Sequence, residues 1–346
     1  MSWLPPDDSE QFDVEYDQYD ESAVKVRPNP KGNKPRTKTR PEHKDAIAGR
    51  VFGVDRGRYG VWVDENTADE RQLVATKSRD LGKYSVVTGD WVDLVGDRTG
   101  AEGSLARIVR VHERTTLLRR SADDTDAVER IIVANADQML IVVAAANPEP
   151  RTRLVDRYLV AAFDAGIRPI LCVTKTDLHD PAEFLANFSE LDLEVVESRS
   201  DEVPLEQLTA LLLGHTTVAV GHSGVGKSTL VNALVPDANR AVGRVNDVTG
   251  RGRHTSSSTV SLRIGTGWIV DTPGVRSFGL GHVDPTNIVR SFTDLAVLAA
   301  ECPRGCTHLP DAPDCAIAEG VAEGRLGENG ARRLESFQRL IATLGS

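Results

Sequence analysis

The run from 221 to 229 carries the glycines, lysine and hydroxyls of a P-loop, a turn that wraps around nucleotide phosphates. It reads Gly221-His222-Ser223-Gly224-Val225-Gly226-Lys227-Ser228-Thr229. A variant of the Asn-Lys-x-Asp element that reads guanine comes before it, as Thr174-Lys175-Thr176-Asp177. In an ordinary GTPase this element follows the P-loop. The reversed order predicts a circularly permuted GTPase, a parallel α/β sheet whose connections are rearranged.

The glycines of the P-loop are needed because backbone N–H groups must close around phosphate oxygens, and a β-carbon would block them. The helix that follows directs its positive end at the phosphates. We expect Lys227 to reach the β- and γ-phosphates, and the Ser228 hydroxyl to bind Mg²⁺. An apolar run precedes the turn and a helical pattern, Lys227–Leu234, follows it. A fortuitous Gly-rich turn is the weaker interpretation.

The guanine-reading element follows an apolar run, so we expect it at the end of a buried strand. Asp177 can accept hydrogen bonds from guanine N1–H and from the exocyclic N2 amine, which adenine lacks. The aliphatic stem of Lys175 can cover the base plane. Thr174 stands where asparagine is usual, so we expect one polar contact to be shortened or lost. A companion loop is expected near Val195–Ser200, with Ser198 as its candidate residue.

A second phosphate-facing element, Asp271-Thr272-Pro273-Gly274, follows the P-loop along the chain. An acid at the tip of a strand can hold a magnesium-bound water, and the Gly274 N–H can sense a γ-phosphate. The next residue is Val275, where many GTPases have a glutamine that orients the attacking water. Valine cannot orient water, so another group must do it.

The polar segment from 251 to 259 lies where a first switch loop belongs, between the P-loop and Asp271. Thr255 is our candidate for the second hydroxyl on Mg²⁺, although the neighbouring serines could substitute. His254 is the candidate for placing the hydrolytic water, and a loop arginine or a partner molecule is the alternative. A lone histidine in a loop is usually only solvated, so this assignment depends on the position of His254 within the switch.

Residues 46–114 show five short strand patterns split by turn residues, which predicts a small barrel with an OB-fold as the leading candidate. The predicted strands are Gly49–Val54, Gly60–Asp64, Leu73–Thr76, Trp91–Val95 and Leu105–Val111. The aromatic residues that could stack on nucleic-acid bases are Phe52, Tyr59, Trp62, Tyr84 and Trp91. We favour core packing for most of them and expect Trp91 to be structural.

Alternating apolar runs and helical patterns between 115 and 281 predict βαβ units around a parallel sheet. The expected strands are Gln138–Ala145, Arg168–Thr174, Thr217–Gly221 and Gly267–Asp271. From 282 to 346 the pattern predicts a helix at Pro285–Ala300, a cysteine and histidine cluster, and a closing helix at Ala331–Leu344. Cys302, Cys306 and Cys315 surround His308, which in a reducing cytosol indicates metal ligation rather than disulfides. Reduced cysteines without a metal are the alternative.

The net charge of −10 argues against wrapping of nucleic acid driven by charge alone. Eight acids in the first 21 residues are followed by eight bases between 25 and 44, so we predict a disordered tail at 1–45. Its basic part could contact RNA phosphates, and a solvated tail with no single partner is equally open. The longest apolar run, Met139–Ala146, is too short to cross a bilayer. With an acidic N-terminus that shows no secretory signal, we expect a cytoplasmic protein.

With these motifs in this order, the chain resembles the bacterial ribosome small-subunit-dependent GTPase A family, RsgA, also called YjeQ, over residues 46–346. The resemblance implies a multidomain α/β fold: an N-terminal OB-fold barrel at 46–114, a circularly permuted P-loop GTPase domain at 115–281, and a C-terminal α-helical zinc-binding domain at 282–346. It also implies that His254 takes the place of the missing glutamine. The implied ligands of a structural Zn²⁺ are Cys302, Cys306, His308 and Cys315.

For activity and partners, the resemblance implies GTP hydrolysis with Mg²⁺, cycling between GTP and GDP. It further implies binding of the small ribosomal subunit and its rRNA, help in a late maturation step, and release after hydrolysis that the subunit stimulates. We expect a monomer. Two other interpretations stay open: a nucleotide-switched RNA-binding protein with a different target, and a P-loop ATPase whose Thr-Lys-x-Asp sequence is incidental.

Overall fold

The computed structural model describes residues 43–101, 103–121, 129–236, 259–272, 278 and 280–345. The tail predicted at 1–45 lies almost wholly outside these residues. The strands within them are β1 Ile47–Asp55, β2 Arg58–Val63, β3 Arg71–Lys77, β4 Trp91–Gly96, β5 Ala106–Val111, β6 Leu117–Ser121, β7 Glu129–Ala134, β8 Gln138–Ala144, β9 Arg168–Thr174, β10 Glu194–Ser198, β11 Thr216–Gly221, β12 Val260–Ile264 and β13 Gly267–Asp271.

The helices in the same ranges alternate with the later strands and then continue alone to the C-terminus. The α-helices are α1 Thr152–Asp164, α2 Ala182–Ala186, α3 Leu205–Leu212, α4 Lys227–Leu234, α5 Pro285–Arg290, α6 Thr293–Ala299, α7 Ala316–Ala322 and α8 Gly330–Ala342. Short 3₁₀ turns lie at Arg79–Leu81 and Thr343–Gly345. No helix in the described ranges combines the length and the apolar character that crossing a bilayer requires.

Strands β1 to β5 form the predicted N-terminal barrel. Strand β1 pairs with both β2 and β4, and β5 pairs with β3 and β4, which closes the ring. All of these pairs are antiparallel except β3–β5, as in an OB-like five-stranded barrel. A β-carbon on Gly60 would lie 2.5 Å from the Phe52 ring, so this glycine makes room for a buried aromatic. The expected barrel is therefore confirmed.

The aromatic residues of the barrel divide among its core, its surface and its junction with the parallel sheet, where Phe52 joins the cluster of Leu262 and Trp268. Phe52 and Tyr59 are buried, whereas Tyr84 is exposed. Trp91, which we expected to be structural, is 37% exposed and therefore does not belong to the buried core. Trp91 begins β4, and the Arg50 guanidinium lies 5.9 Å from its ring centroid.

The parallel strands follow the order β10–β9–β8–β11–β13, with β12 antiparallel to β13. Strand β11 lies between β8 and β13 in this order and leads into the P-loop. Because β9 and β13 lie on opposite sides of β11, the guanine element and Asp271 flank the P-loop at one edge of the sheet. The rearranged chain order thus leaves the expected spatial order intact.

One eleven-stranded sheet contains both the barrel strands and the parallel strands, since β1 pairs with β12 at Gly53 and Val260. One face of the parallel sheet packs against α1 and the C-terminal helices, and the other packs against α3 and α4. The barrel encloses a separate apolar cluster. The domain boundaries at 115 and 282 stay a prediction.

The single helix predicted at Pro285–Ala300 is wrong, because α5 and α6 are separate helices. Phe292 interrupts them with φ −109° and ψ 82°. Its ring is buried against Phe163 and Phe337, with centroid distances of 6.3 and 5.3 Å. Aromatic packing in the core therefore overrides the helical pattern at this point.

Candidate nucleotide-binding and metal sites

The P-loop joins the end of β11 to the start of α4 in a tightly packed turn. Gly224 and Gly226 have φ values of 83° and 91°, in the left-handed region that strains residues with a side chain. A β-carbon on Gly221 would lie 2.5 Å from the carbonyl oxygen of Val142 in β8. Gly224 and Gly226 thus allow a backbone conformation that strains other residues, and a larger residue at Gly221 would require movement of β8.

The other P-loop residues differ in burial along the turn. Val225 is buried beneath the turn and His222 is half-buried, with its Nδ1 2.9 Å from the Ser223 carbonyl oxygen. The residues exposed at the mouth of the loop are Ser223, Ser228 and Thr229. The hydroxyl-bearing residues of the turn are therefore open to solvent, whereas its apolar residue is not.

Lys227 and Asp271, which sequence places 44 positions apart, form an ion pair beside the P-loop. Both are largely shielded from solvent, with side-chain exposures of 12% and 26%. Asp271 is the register partner of Ala219 in β11, and the Thr272 hydroxyl donates to the Ala219 carbonyl at 2.9 Å. The structure therefore brings together two residues that the sequence assigns to the phosphate and magnesium side of the site.

A cavity of about 190 Å³ lies between the guanine element, the loop after β10 and the first turn of α4. Asp177 stands beside it, and its Oδ1 accepts a hydrogen bond from the Ser200 backbone N–H at 2.6 Å. This N–H lowers the pKa of Asp177, so the carboxylate is ionised and oriented at neutral pH. Asp177 is thus prepared to accept hydrogen bonds from a base.

Ser198 lines this cavity, but its hydroxyl is buried and lies 3.4 Å from the Arg199 carbonyl oxygen. Its own carbonyl accepts a hydrogen bond from the Thr176 N–H at 3.3 Å. Ser200 is the loop residue that contacts Asp177, and the sequence did not single it out. That contact is made by a backbone N–H, which any residue except proline could supply.

Thr174, which stands where asparagine is usual, contacts the P-loop, and the expected loss of one polar contact relative to asparagine stays a prediction. Its hydroxyl lies 2.5 Å from the Val225 carbonyl oxygen and 3.1 Å from that of Val143. Lys175 adds a second tie, because its ammonium donates to the carbonyls of Gly224, at 2.9 Å, and Asn147. Hydrogen bonds from Thr174 and Lys175 therefore connect the guanine element to the P-loop.

Four site residues named from the sequence lie outside the described residues. They are His254, Thr255, Gly274 and Val275. The choice of hydrolytic group and of the second magnesium ligand therefore stays a prediction.

The cysteine and histidine cluster of the C-terminal region has the dimensions of a zinc site. The ligand atoms of Cys302, Cys306, His308 and Cys315 all lie within 4.8 Å of one another. The Nδ1 of His308 is 3.6 Å from the Cys302 sulfur and 3.7 Å from that of Cys315. Tetrahedral zinc with bonds of about 2.3 Å to sulfur and about 2.0 Å to nitrogen would separate such atoms by roughly 3.5 Å. The residues present fit Zn²⁺, with Nδ1 as the histidine ligand.

The surroundings of the cluster also suit metal binding. Burial lowers the pKa of His308, which keeps its imidazole neutral as ligation requires. Burial raises the pKa of Cys306 to about 11, and a bound divalent cation would deprotonate such a thiol. Gln338 of α8 donates to the His308 carbonyl at 3.0 Å. The loop that carries the ligands is thereby fixed to the closing helix.

A P-loop flanked by a Thr-Lys-x-Asp element and an Asp-x-x-Gly element, on strands joined in permuted order, defines a circularly permuted P-loop GTPase. The sequence model of the RsgA GTPase family matches residues 111–281. Together with the relatives described next, this match shows that the chain belongs to the RsgA GTPase family, and it is accordingly a GTP hydrolase.

Relatives resemble the chain over most of their length. The small ribosomal subunit biogenesis GTPase RsgA of Pseudomonas fluorescens SBW25 is 39% identical over 317 residues, which are 87% of this chain and 89% of that protein. The RsgA of Pseudomonas aeruginosa LESB58 is 34% identical over 314 residues, with the same coverage of both chains.

Solved structures show the same fold. YloQ, described as a circularly permuted GTPase, matches with a TM-score of 0.62, covering 87% of this chain and 96% of its own. YjeQ from Thermotoga maritima matches with a TM-score of 0.63, covering 87% and 99%. Each is 24% identical to this chain, so these likenesses concern the fold.

Proposed function

We propose that this GTPase binds the small ribosomal subunit and its rRNA and assists late maturation of the subunit. In this account the subunit stimulates hydrolysis, and hydrolysis releases the protein. The observation that carries the proposal is the 39% identity, over 87% of the chain, to a protein named for small ribosomal subunit biogenesis. An OB-like barrel and a zinc-fitting cluster, at opposite ends of the same chain, offer two surfaces of kinds that bind RNA.

Guanine selection falls to Asp177 in this proposal. Its carboxylate, held by the Ser200 N–H, accepts hydrogen bonds from guanine N1–H and the N2 amine. The stem of Lys175 covers one face of the base, and Thr174 with Thr176 and Ser198 hold the element in place. Adenine would leave the carboxylate without hydrogen-bond donors, and the resulting loss of binding affinity is large enough to exclude ATP.

Phosphate binding falls to the P-loop from Gly221 to Thr229. Its N–H groups and the Lys227 ammonium would surround the β- and γ-phosphates. Ser228 and Thr255 would hold Mg²⁺ with help from Asp271, and Mg²⁺ supplies charge neutralisation on the phosphate oxygens. The Gly274 N–H would contact the γ-phosphate.

Hydrolysis needs a group that orients water, and Val275 has no polar atom to do so. We assign this task to His254 in the first switch segment, on the strength of its position and of the resemblance stated above. A site that lacks the usual glutamine should turn over slowly alone. Stimulation by the ribosomal subunit would then complete it, as an added partner does for other slow GTPases.

The zinc site has a structural role in this proposal. Three thiolates and one imidazole fill a tetrahedral shell and leave no position for substrate. We further propose that the protein acts as a monomer in the cytoplasm. The acidic net charge of −10 is compatible with a protein that recognises rRNA through local surfaces.

Base recognition can be tested with Asp177→Asn. The amide would donate where the carboxylate accepts, so xanthine, which has a carbonyl at C2, should replace guanine as the preferred base. We expect GTP affinity to fall at least about a hundredfold while XTP binding appears. Asp192→Asn, an exposed acid outside the cavity lining, is the matched control. Unchanged GTP preference in Asp177→Asn would refute the assignment.

Partner choice can be tested by sedimentation with purified ribosomal subunits. The protein loaded with a non-hydrolysable GTP analogue should pellet with small subunits and much less with large ones. Loading with GDP should release it, because binding is proposed to follow the nucleotide state. Equal binding to both subunits, or binding indifferent to the nucleotide, would contradict the proposed cycle.

A further inference from the structure

Arg50, on barrel strand β1, reaches the two strands that lead to the phosphate side of the nucleotide site. Its Nη2 donates to the Thr216 hydroxyl at 2.5 Å, and its guanidinium lies 5.5 Å from the Trp268 ring centroid. Thr216 and Trp268 are register partners near the amino ends of β11 and β13. One barrel side chain therefore contacts the starts of the strands that end at the P-loop and at Asp271.

Further contacts join the barrel to this tryptophan and to Arg263 on the neighbouring strand β12. The Arg263 guanidinium lies 5.4 Å from the Trp268 ring. Arg263 donates to Glu70 at 2.7 Å and to Asn66 at 2.6 Å, both in the barrel segment after β2. The Trp62 ring lies 6.2 Å from that of Trp268. We call Arg50, Trp62, Trp268 and Arg263 the barrel clamp.

The Arg50 guanidinium and the neighbouring Glu65 carboxylate are partly removed from water, which strengthens the interaction between them. Burial lowers the pKa of Arg50, and the neighbouring Glu65 opposes that shift. Burial likewise raises the pKa of Glu65, whose side chain also bonds with Trp268. A displacement that separates these groups would leave buried charge without compensation, so the clamp favours one relative position of barrel and hairpin.

The hairpin β12–β13 connects the first switch segment to Asp271, and the barrel contacts it at both ends. The Thr88 hydroxyl donates to the Thr259 carbonyl at 3.3 Å, directly before β12. Gly53 pairs with Val260 at the start of β12. The barrel therefore contacts the hairpin at the start of β12, which follows the first switch segment in the chain. It also contacts Trp268 at the start of β13, the strand that ends at Asp271.

We propose that Arg50 is a positioning residue for GTP hydrolysis. It fixes the amino ends of β11 and β13 against each other and so sets the P-loop relative to Asp271. A shift of the barrel against the hairpin then changes the turnover of GTP. This inference rests on the proposed phosphate site and adds a route from the barrel to it.

The first test compares turnover in three variants. Arg50→Met keeps the length of the side chain but removes its charge and donors, and Thr216→Val removes only the acceptor hydroxyl. Arg110→Met, a barrel arginine with 70% side-chain exposure, is the control. We expect kcat to fall about tenfold in Arg50→Met and about threefold in Thr216→Val, with KM and GDP affinity within about twofold of wild type. Arg110→Met should match wild type.

The second test uses tryptophan emission, because three of the four tryptophans lie at or beside the clamp and the fourth is Trp3. In a protein with Trp3, Trp62 and Trp91 each changed to phenylalanine, the emission reports Trp268 alone. We expect it to differ between GDP and a non-hydrolysable GTP analogue. Adding Arg50→Met should abolish this difference while both nucleotides still bind. A role in stability alone would lower the melting temperature without removing the nucleotide response.

The proposal is overturned if folded Arg50→Met and Thr216→Val proteins keep wild-type kcat and the Trp268 emission keeps its nucleotide dependence. Failure of the ribosomal proposal would be recognisable separately. In that case wild-type turnover would not respond to small subunits, while Arg50→Met would still lower basal turnover.

Discussion

The two ends of the molecule are joined to the central sheet by different chemistry. The C-terminal helices share one continuous apolar cluster with α1 and the parallel strands. Within it, Phe292 of the C-terminal region packs on Phe163 of α1, and Arg339 of α8 pairs with the buried Asp156 at 3.2 Å. The barrel instead has its own apolar cluster, and it meets the hairpin through the clamp, the β1–β12 pairing and the buried Phe52, which belongs to the same cluster as Leu262 and Trp268.

This difference predicts which end of the molecule is fixed to the central sheet and which end can move against it. A shared core resists displacement, because moving it would expose buried apolar surface and open cavities. A junction that buries few apolar side chains beside its directional polar and cation–π contacts can shift at lower cost. We infer that the C-terminal region and the GTPase core fold as one unit, whereas the barrel is the part able to move against the nucleotide site.

The largest expected effect follows from Phe337→Ala in α8. Phe337 is fully buried in the shared cluster, so its truncation should cost about 3–5 kcal/mol of unfolding free energy. Urea unfolding followed by circular dichroism and by loss of bound fluorescent GDP should shift together. Val297→Ala, at a position that is 67% exposed on α6, should change little. A C-terminal transition that separates from loss of GDP would break the comparison.

A smaller loss is expected from Leu94→Ala in the barrel cluster. Leu94 is fully buried, and its truncation should cost about 3 kcal/mol. Because the cluster is separate, barrel unfolding should precede loss of GDP in a urea titration. Hydrogen exchange of β1 to β5 amides, measured with GDP bound, would detect this order. A single transition at the position seen for Phe337→Ala would show that the barrel is part of the common core.

Loss of zinc should have a more local effect. Cys306→Ser removes one ligand, and we expect zinc content to fall well below one per chain and the unfolding free energy to drop by about 2 kcal/mol. The drop is limited because α7 and α8 also pack on the shared core. Cys172→Ala, which changes the cysteine outside the cluster, should retain zinc. Elemental analysis and urea midpoints measure both, and undiminished zinc in Cys306→Ser would contradict the assigned ligands.

The smallest predicted effect concerns pH and the buried Asp156. Burial raises the pKa of Asp156 more than Arg339 lowers it. The folded state therefore prefers the protonated acid, and that stabilisation, complete below the unfolded pKa of about 3.9, is lost as pH rises through the folded pKa. Asp156→Asn should therefore be stabilised relative to wild type by an amount that grows as pH rises from about 4 to 7. Urea midpoints at both pH values test this, and a constant difference would oppose it.

The sequence predicted those turns, helices and strands that depend on a local pattern of residues. The P-loop turn and α4 follow from the spacing of glycines and the following helical pattern, and the barrel strands follow from short alternating runs between turn residues. The hairpin β6–β7 was not predicted, since Leu117–Ser121 ends in charged and polar residues instead of alternating. The break at Phe292 escaped prediction because it depends on Phe163 and Phe337, which are distant in sequence.

The same holds for the site: residues with a distinctive side-chain chemistry were predicted, and residues that act through the backbone or through long-range contacts were not. Motif residues such as Lys227 and Asp177 could be named because side-chain chemistry identifies them. Ser200 could not, because it acts through a backbone N–H. Arg50 and Thr216 are 166 positions apart, and only the folded sheet brings them into contact.

The central claim is best tested by GTP turnover of the purified protein, alone and with small or large ribosomal subunits, with Lys227→Ala as the inactive control. We predict slow turnover alone, a many-fold rise with small subunits, no rise with large ones, and no turnover in Lys227→Ala. Turnover that stays flat with small subunits, in protein that still binds GTP, would contradict the account.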